Sequence, residues 1–136
     1  MQLVAYLNFP GTAREAMDFY AAALGGKVTQ RFTYGESPMA AQMPAESHGQ
    51  VMHSRIDIGE ALLMGADGPP PHEAGSTTLN VMPETAEEAE RVFRALSEGG
   101  EVTMPLEETF WAHRFGALTD KYGKRWMVNC LKPMVS

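Results

Sequence analysis

Tyr6-Leu7-Asn8-Phe9-Pro10 and Thr78-Leu79-Asn80-Val81-Met82-Pro83 are one pattern written twice. In each, residues alternate as in a strand with one covered face, and a proline then closes it. The next segments repeat too. Ala16, Phe19, Tyr20 and Ala23 stand at helical spacing before Gly25-Gly26, and Ala89, Val92, Phe93 and Leu96 stand so before Gly99-Gly100. Thr12 is the expected N-cap of the first helix, with Glu15 as its capping-box partner. Pro83–Thr85 opens the second helix. Strands are expected at Gln2–Phe9, Lys27–Tyr34, Gln50–Ile58 and Ala61–Met64, the last two joined by a Gly59-Glu60 hairpin turn. The second copy reads as strands at Ser76–Met82, Glu101–Glu107, Arg114–Thr119 and Arg125–Leu131. The chain is thus α+β, built from paired βαβββ modules.

Working outward, Glu36–His48 has no period and reads as a loop with room for a short helical turn. A proline-rich joint at 66–75, carrying Pro69-Pro70-Pro71, separates module one (about 1–65) from module two (about 76–136). With 136 residues, the whole is one domain. Apolar and charged fractions of 44% and 21% are those of a globular chain and exclude a disordered one. A formal net charge of -6 argues against nucleic-acid binding. No stretch is long and apolar enough to span a bilayer, and no signal peptide is visible, so a cytoplasmic protein is expected. One cysteine, Cys130, forms neither an internal disulfide nor a multi-cysteine metal site. Alternation along the final strand places it with Trp126 and Val128, as a buried, inert thiol.

Alternation also divides the two first strands. Leu7, Phe9, Leu79 and Val81 point toward the helices, whereas Tyr6, Asn8, Thr78 and Asn80 share the other, partly polar face. That face suits a partly wet cavity; two satisfied asparagines at strand ends are an equally good reading. His53, Arg55 and Asp57 share one face of the third strand, which suits an anionic ligand, an intramolecular ion pair or a solvated row of charges. The densest cluster of chemistry is Glu108-Thr109-Phe110-Trp111-Ala112-His113-Arg114. Trp111 is a candidate pocket wall, and His113 and Glu108 are candidate acid–base or hydrogen-bonding groups. The alternative is structural: Phe110 and Trp111 cover the end of the sheet, and Arg114 pairs with an acid. His48 and His72 lack partners at ligand spacing. The ten methionines suit either an adaptable pocket or core gap-filling.

The paired modules resemble the vicinal oxygen chelate superfamily of glyoxalases, bleomycin-resistance proteins and extradiol dioxygenases. The resemblance is sharpest to its PhnB-like (3-demethylubiquinone methyltransferase-like) branch. It is carried by Tyr6–Phe9 with Ala16–Tyr20, by Phe32-Thr33-Tyr34-Gly35-Glu36, by Glu108–Gly116, and by Thr119–Gly123 with Trp126–Asn129. No glycine-rich nucleotide motif supports the methyltransferase label. The resemblance implies a glyoxalase-like eight-stranded curved sheet with a cup-like cavity, and a homodimer.

In the superfamily's metal enzymes, four His, Glu or Gln side chains hold a divalent ion that stabilises an enolate or oxyanion. Those positions map here to Ala5 or Tyr6, Leu63, Thr77 or Thr78, and Met127, a poor set for a hard ion. The leading expectation is therefore a small-molecule-binding protein without metal or other cofactor, using Tyr6, Asn8, His53, Thr78, Asn80, Trp111 and His113. A relocated divalent-metal site on His53 and His113 with Glu108 or Asp57 is the alternative that would make it a lyase, isomerase or dioxygenase. A metal-free acid–base enzyme would rest on His113 and Glu108. A third reading is sequestration of a flat aromatic antibiotic against Trp111 and Trp126 at a dimer interface.

Overall fold

The computed structural model describes residues 1–73 and 75–133. Ala74 of the expected joint and residues 134–136 of the second module lie outside the described residues. The chain divides into two compact units, residues 1–72 and 73–136. The first contains β1 (Tyr6–Phe9), α1 (Ala13–Leu24), β2 (Lys27–Thr33), β3 (Val51–Ile58) and β4 (Ala61–Asp67). The second contains β5 (Leu79–Val81), α2 (Ala86–Ser97), β6 (Glu101–Glu107), β7 (Ala112–Thr119) and β8 (Arg125–Leu131). The eight strands form two four-stranded sheets, ordered β1-β4-β3-β2 and β5-β8-β7-β6. In each, the first strand runs parallel to the last, and the remaining pairs are antiparallel. Each unit is therefore the expected βαβββ module.

The differences have physical causes. β1 is shorter than expected, because Leu3 is fully exposed and finds no face to bury. β4 is longer, running past Gly65 to Asp67, because β1 pairs along it as far as Phe9 opposite Asp67. Gly65 is a close approach to the helix and not a turn: a Cβ there would lie 2.9 Å from Met17 Sδ. Gly116 of β7 does the same in the second unit, where a Cβ would lie 2.8 Å from the Phe93 ring. The loop after β2 contains three short 3-10 turns, Tyr34–Glu36, Ala40–Gln42 and Ala45–Ser47.

The helices start in different ways. In α2 the local rule holds: Thr85 Oγ1 accepts from the Glu88 N–H at 3.1 Å. In α1 the expected Thr12–Glu15 box does not form, and Thr12 makes no side-chain cap. Asp67 replaces it from the far end of β4. Its Oδ1 accepts from the N–H groups of Gly11 and Ala13, both at 2.9 Å, and its Oδ2 accepts from the Val51 N–H at 2.9 Å. A negative charge at a helix N-terminus is favoured by the helix dipole as well as by these bonds. Gly25 ends α1 as expected, in the left-handed region at φ 73°.

Each unit has its own core. Phe9, Ala16, Met17 and Tyr20 bury against Val51, Ile56 and Leu63, and Val92, Phe93 and Leu96 bury in the unit that covers Leu118, Trp126, Val128 and Cys130. Each large apolar side chain so covered contributes roughly 1.5–3 kcal/mol. The opposite face of each sheet carries no helix of its own unit, and the chemistry stands there. Among the described residues, no helix is long and apolar enough to cross a membrane.

Candidate functional site

On the open face of the first sheet, register dictates which side chains meet. Tyr6 stands opposite Met64, Met64 opposite Arg55, and His53 opposite Phe32. The small Ala66 follows Met64 on the same face of β4 and is buried. The Tyr6 hydroxyl reaches His53 Nδ1 at 3.0 Å. The imidazole stacks between two rings, 5.8 Å from Tyr6 and 6.4 Å from Phe32. Tyr6 and Phe32 nevertheless remain 52% and 46% exposed, so a platform of three flat groups is open to a further one.

Burial, and secondarily Tyr34, push the Tyr6 phenol above its usual pKa, so it keeps its proton at neutral pH.

Beside this platform the charges cancel. Arg55 binds Asp57 through Nε at 3.0 and 3.2 Å and through Nη2 at 2.8 Å. Thr29 donates a further hydrogen bond to Asp57. The Arg55 guanidinium, with Thr29 after it, holds the Asp57 carboxyl below the usual range. Of the readings open for the His53-Arg55-Asp57 row, the structure has the intramolecular ion pair.

Asn8 shares the Tyr6 face, but its amide donates to the carbonyls of Pro69 and Pro71 and so anchors the proline-rich segment. His48 and His72 each bind a backbone carbonyl, of Ala40 at 2.8 Å and of Gly68 at 2.7 Å.

In the second unit, Asn80 stands opposite Met127 and Phe115 opposite Asn129. Thr78 is half-buried and Asn80 exposed. Trp111 meets Phe115 edge-on at 5.2 Å and Phe110 at 4.9 Å. The Asn129 Oδ1 is buried without a hydrogen-bond partner. His113 is exposed, as is Glu108, which is ion-paired with Lys132 at 2.9 Å. That ammonium holds the Glu108 carboxyl below its usual range, with Arg114 and His113 adding to the effect. Arg114 pairs with Glu90 of α2, as the structural reading expected. Trp126 is no pocket wall: it is buried and donates from Nε1 to Asp120 Oδ2 at 2.8 Å. Cys130 is buried farther along β8.

The structure thus brings Tyr6 and His53 together and turns Asn8 to a structural task. Phe32, Met64 and Phe115 join the open faces, and the sequence pattern alone does not mark them for it. Alternation along a correctly extended β4 would have found Met64.

Two modules of this topology, each with one helix-covered and one open sheet face, define a glyoxalase-type protein. Residues 3–128 match the Glyoxalase/Bleomycin resistance protein/Dioxygenase superfamily, and the chain belongs to it. It is 34% identical to Protein YjdN of Escherichia coli K12 over 97% of both chains. Its fold matches that of protein PA1353 from Pseudomonas aeruginosa, at 40% identity and a TM-score of 0.87, over 98% of this chain and 99% of that one. A PhnB protein from Bacillus cereus matches with a TM-score of 0.79 and 28% identity, over 96% and 99% of the two chains.

The residues at the superfamily's metal positions do not fit a divalent ion. The Tyr6 hydroxyl is engaged by His53, and Leu63 is buried on the helix side. Met64, not Leu63, is the β4 residue beside Tyr6, and a thioether is no ligand for a hard cation. Asp57 and Glu108, the carboxylates considered for a relocated site, are each held by a cation. Among the described residues, no three His, Cys, Asp or Glu side chains gather at ligand distance.

Proposed function

We propose that the protein binds an uncharged, planar small molecule on the open face of its first sheet, without a metal ion. The observation that carries this reading is the half-exposed stack of Tyr6, His53 and Phe32 beside a charge-neutral Arg55–Asp57 pair. A ring laid on that platform gains stacking and apolar burial, and the imidazole and phenol offer it hydrogen bonds. An anionic ligand would first have to displace Asp57 from Arg55. The acid–base reading at His113 and Glu108 is weaker, because the ion pair with Lys132 lowers the Glu108 pKa, which makes the carboxylate a poorer base and leaves little of its acid form. The reading assumes a cytoplasmic homodimer, whose assembly light scattering checks.

The test has two arms. Titration with indole and 2-naphthol, followed by calorimetry, gives saturable binding that His53→Ala/Phe32→Ala weakens at least tenfold. Equilibration with zinc, nickel, manganese or iron leaves no ion bound at micromolar affinity. One tightly held ion per chain, or ring binding indifferent to the double substitution, refutes the proposal.

A further inference from the structure

A second feature lies at the far end of the first sheet from the β3–β4 hairpin. A cavity of about 380 Å³ lies where β1 and β4 end, with the 34–50 loop along one side. Its lining includes Gly11, Gln50, Asp67 and Gly68, and on the apolar side Pro10, Tyr34 and Met43. Asp67 is only 3% exposed and has no cationic partner among the described residues. Its charge is met by three backbone N–H groups, two on Oδ1 and one on Oδ2. A carboxylate oxygen accepts two hydrogen bonds, and Oδ2 has one, from Val51, so this cavity-lining residue has acceptor capacity left. The Tyr34 hydroxyl donates to the Asp67 backbone carbonyl at 2.8 Å, which fixes the aromatic ring against the same residue. The Gln50 side-chain nitrogen comes within 3.4 Å of the point where a Cβ on Gly11 would stand, so its amide flanks the cavity.

A buried, incompletely used carboxylate, an electron-rich ring and a thioether around one small space are the elements that recognise an organic cation. We infer that this cavity is a binding site for a small primary alkylammonium, whose nitrogen meets Asp67 Oδ2 while its alkyl chain lies against Pro10, Tyr34 and Met43. The chain's net charge of -6 favours the approach of such a cation. The site is separate from the Tyr6–His53–Phe32 platform in its residues and in the charge of its ligand, so either stands or falls without the other.

The probes are n-butylammonium, n-butanol and butyrate, titrated into the ¹⁵N-labelled full chain and followed by amide shifts. The expected result is saturable movement of the Gly11, Gln50 and Gly68 signals with butylammonium. Butanol should bind about tenfold more weakly or less, since it lacks the charge-assisted hydrogen bond, and butyrate should not bind. Met43→Trp fills the cavity from the loop without touching the Asp67 bonds, and should abolish the response while the rest of the spectrum is kept. Equal binding of butanol and butylammonium, shifts centred on Tyr6 and His53, no saturable shift, or an unaltered response in Met43→Trp would each overturn the assignment.

Discussion

Asp67→Ala tests how the first unit is held together. The substitution deprives three N–H groups of their acceptor. Gly11 is exposed, and water replaces the lost partner there. Ala13 and Val51 are fully buried, so their N–H groups stay dry. A buried donor left unpaired costs roughly 1–3 kcal/mol, so the two together predict a loss of about 2–6 kcal/mol. Set against the roughly 5–15 kcal/mol of a typical domain, that is a large fraction. The control is built into the repeat. Thr85→Ala removes a true N-cap and should cost about 1 kcal/mol, whereas Thr12→Ala, at a position whose side chain caps nothing, should cost under about 0.5 kcal/mol. Urea unfolding followed by far-ultraviolet circular dichroism ranks the three, with destabilisation in the order Asp67, Thr85, Thr12. If Thr12→Ala destabilised as much as Thr85→Ala, or Asp67→Ala cost less than about 1 kcal/mol, capping of α1 from β4 would be refuted.

Arg55→Ala should raise the Asp57 carboxyl toward its ordinary value, read by carboxyl-carbon NMR titration, because the guanidinium is the largest cause of its depression. A carboxyl depressed in the folded state stabilises above its unfolded pKa, and that stabilisation is lost as pH falls through the folded value. Losing Arg55 therefore shrinks the contribution and moves its loss to higher pH. Acrylamide should quench Trp111 and spare Trp126, so Trp111→Phe leaves a poorly quenched protein and Trp126→Phe a well-quenched one. Cys130 should resist a thiol reagent in the native protein and react at once in urea, since it is 1% exposed.

The repeat was legible because periodicity and glycine punctuation are local. Both helices and six of the eight strands lie within a few residues of where alternation puts them, whereas β1 and β5 are each much shorter than expected, at four and three residues. The cap of α1 was not legible: the rule that identifies Thr12 looks a few residues ahead, and the acceptor that wins lies on another strand. The site divides the same way. Alternation correctly placed Tyr6 and Asn8 on one face, but not their different fates. Those depend on the strand order β1-β4-β3-β2, which brings His53 toward Tyr6 across a strand distant in sequence, and on the proline segment that takes up Asn8. Phe32 reaches His53 only through the register shift between Val28 and Gln30 in the β2–β3 ladder, which no pattern announces. Leu63, which the resemblance puts at a metal position, is buried, because the pleat turns its side chain to the helix.

The two halves constrain their faces unequally, and that bears on where a ligand would be held. On the helix side both repeats meet one steric demand, a glycine in the sheet beneath a bulky helix residue: Gly65 under Met17 and Gly116 under Phe93. A side chain at either glycine would crowd the helix residue above it, so this side has less freedom to vary. The open faces carry no such demand, and there the repeats part. One displays a stacked phenol, imidazole and phenyl with a neutralised ion pair; the other displays an edge-on tryptophan and phenylalanine with two asparagines. Flat, half-exposed rings on both faces leave apolar surface that a ligand or a second chain can cover. The asymmetry predicts separable effects. Phe32→Ala should weaken ring binding at the first sheet with little loss of stability, because nearly half of that side chain already faces water. Phe115→Ala should leave that binding intact and alter only the environment of Trp111.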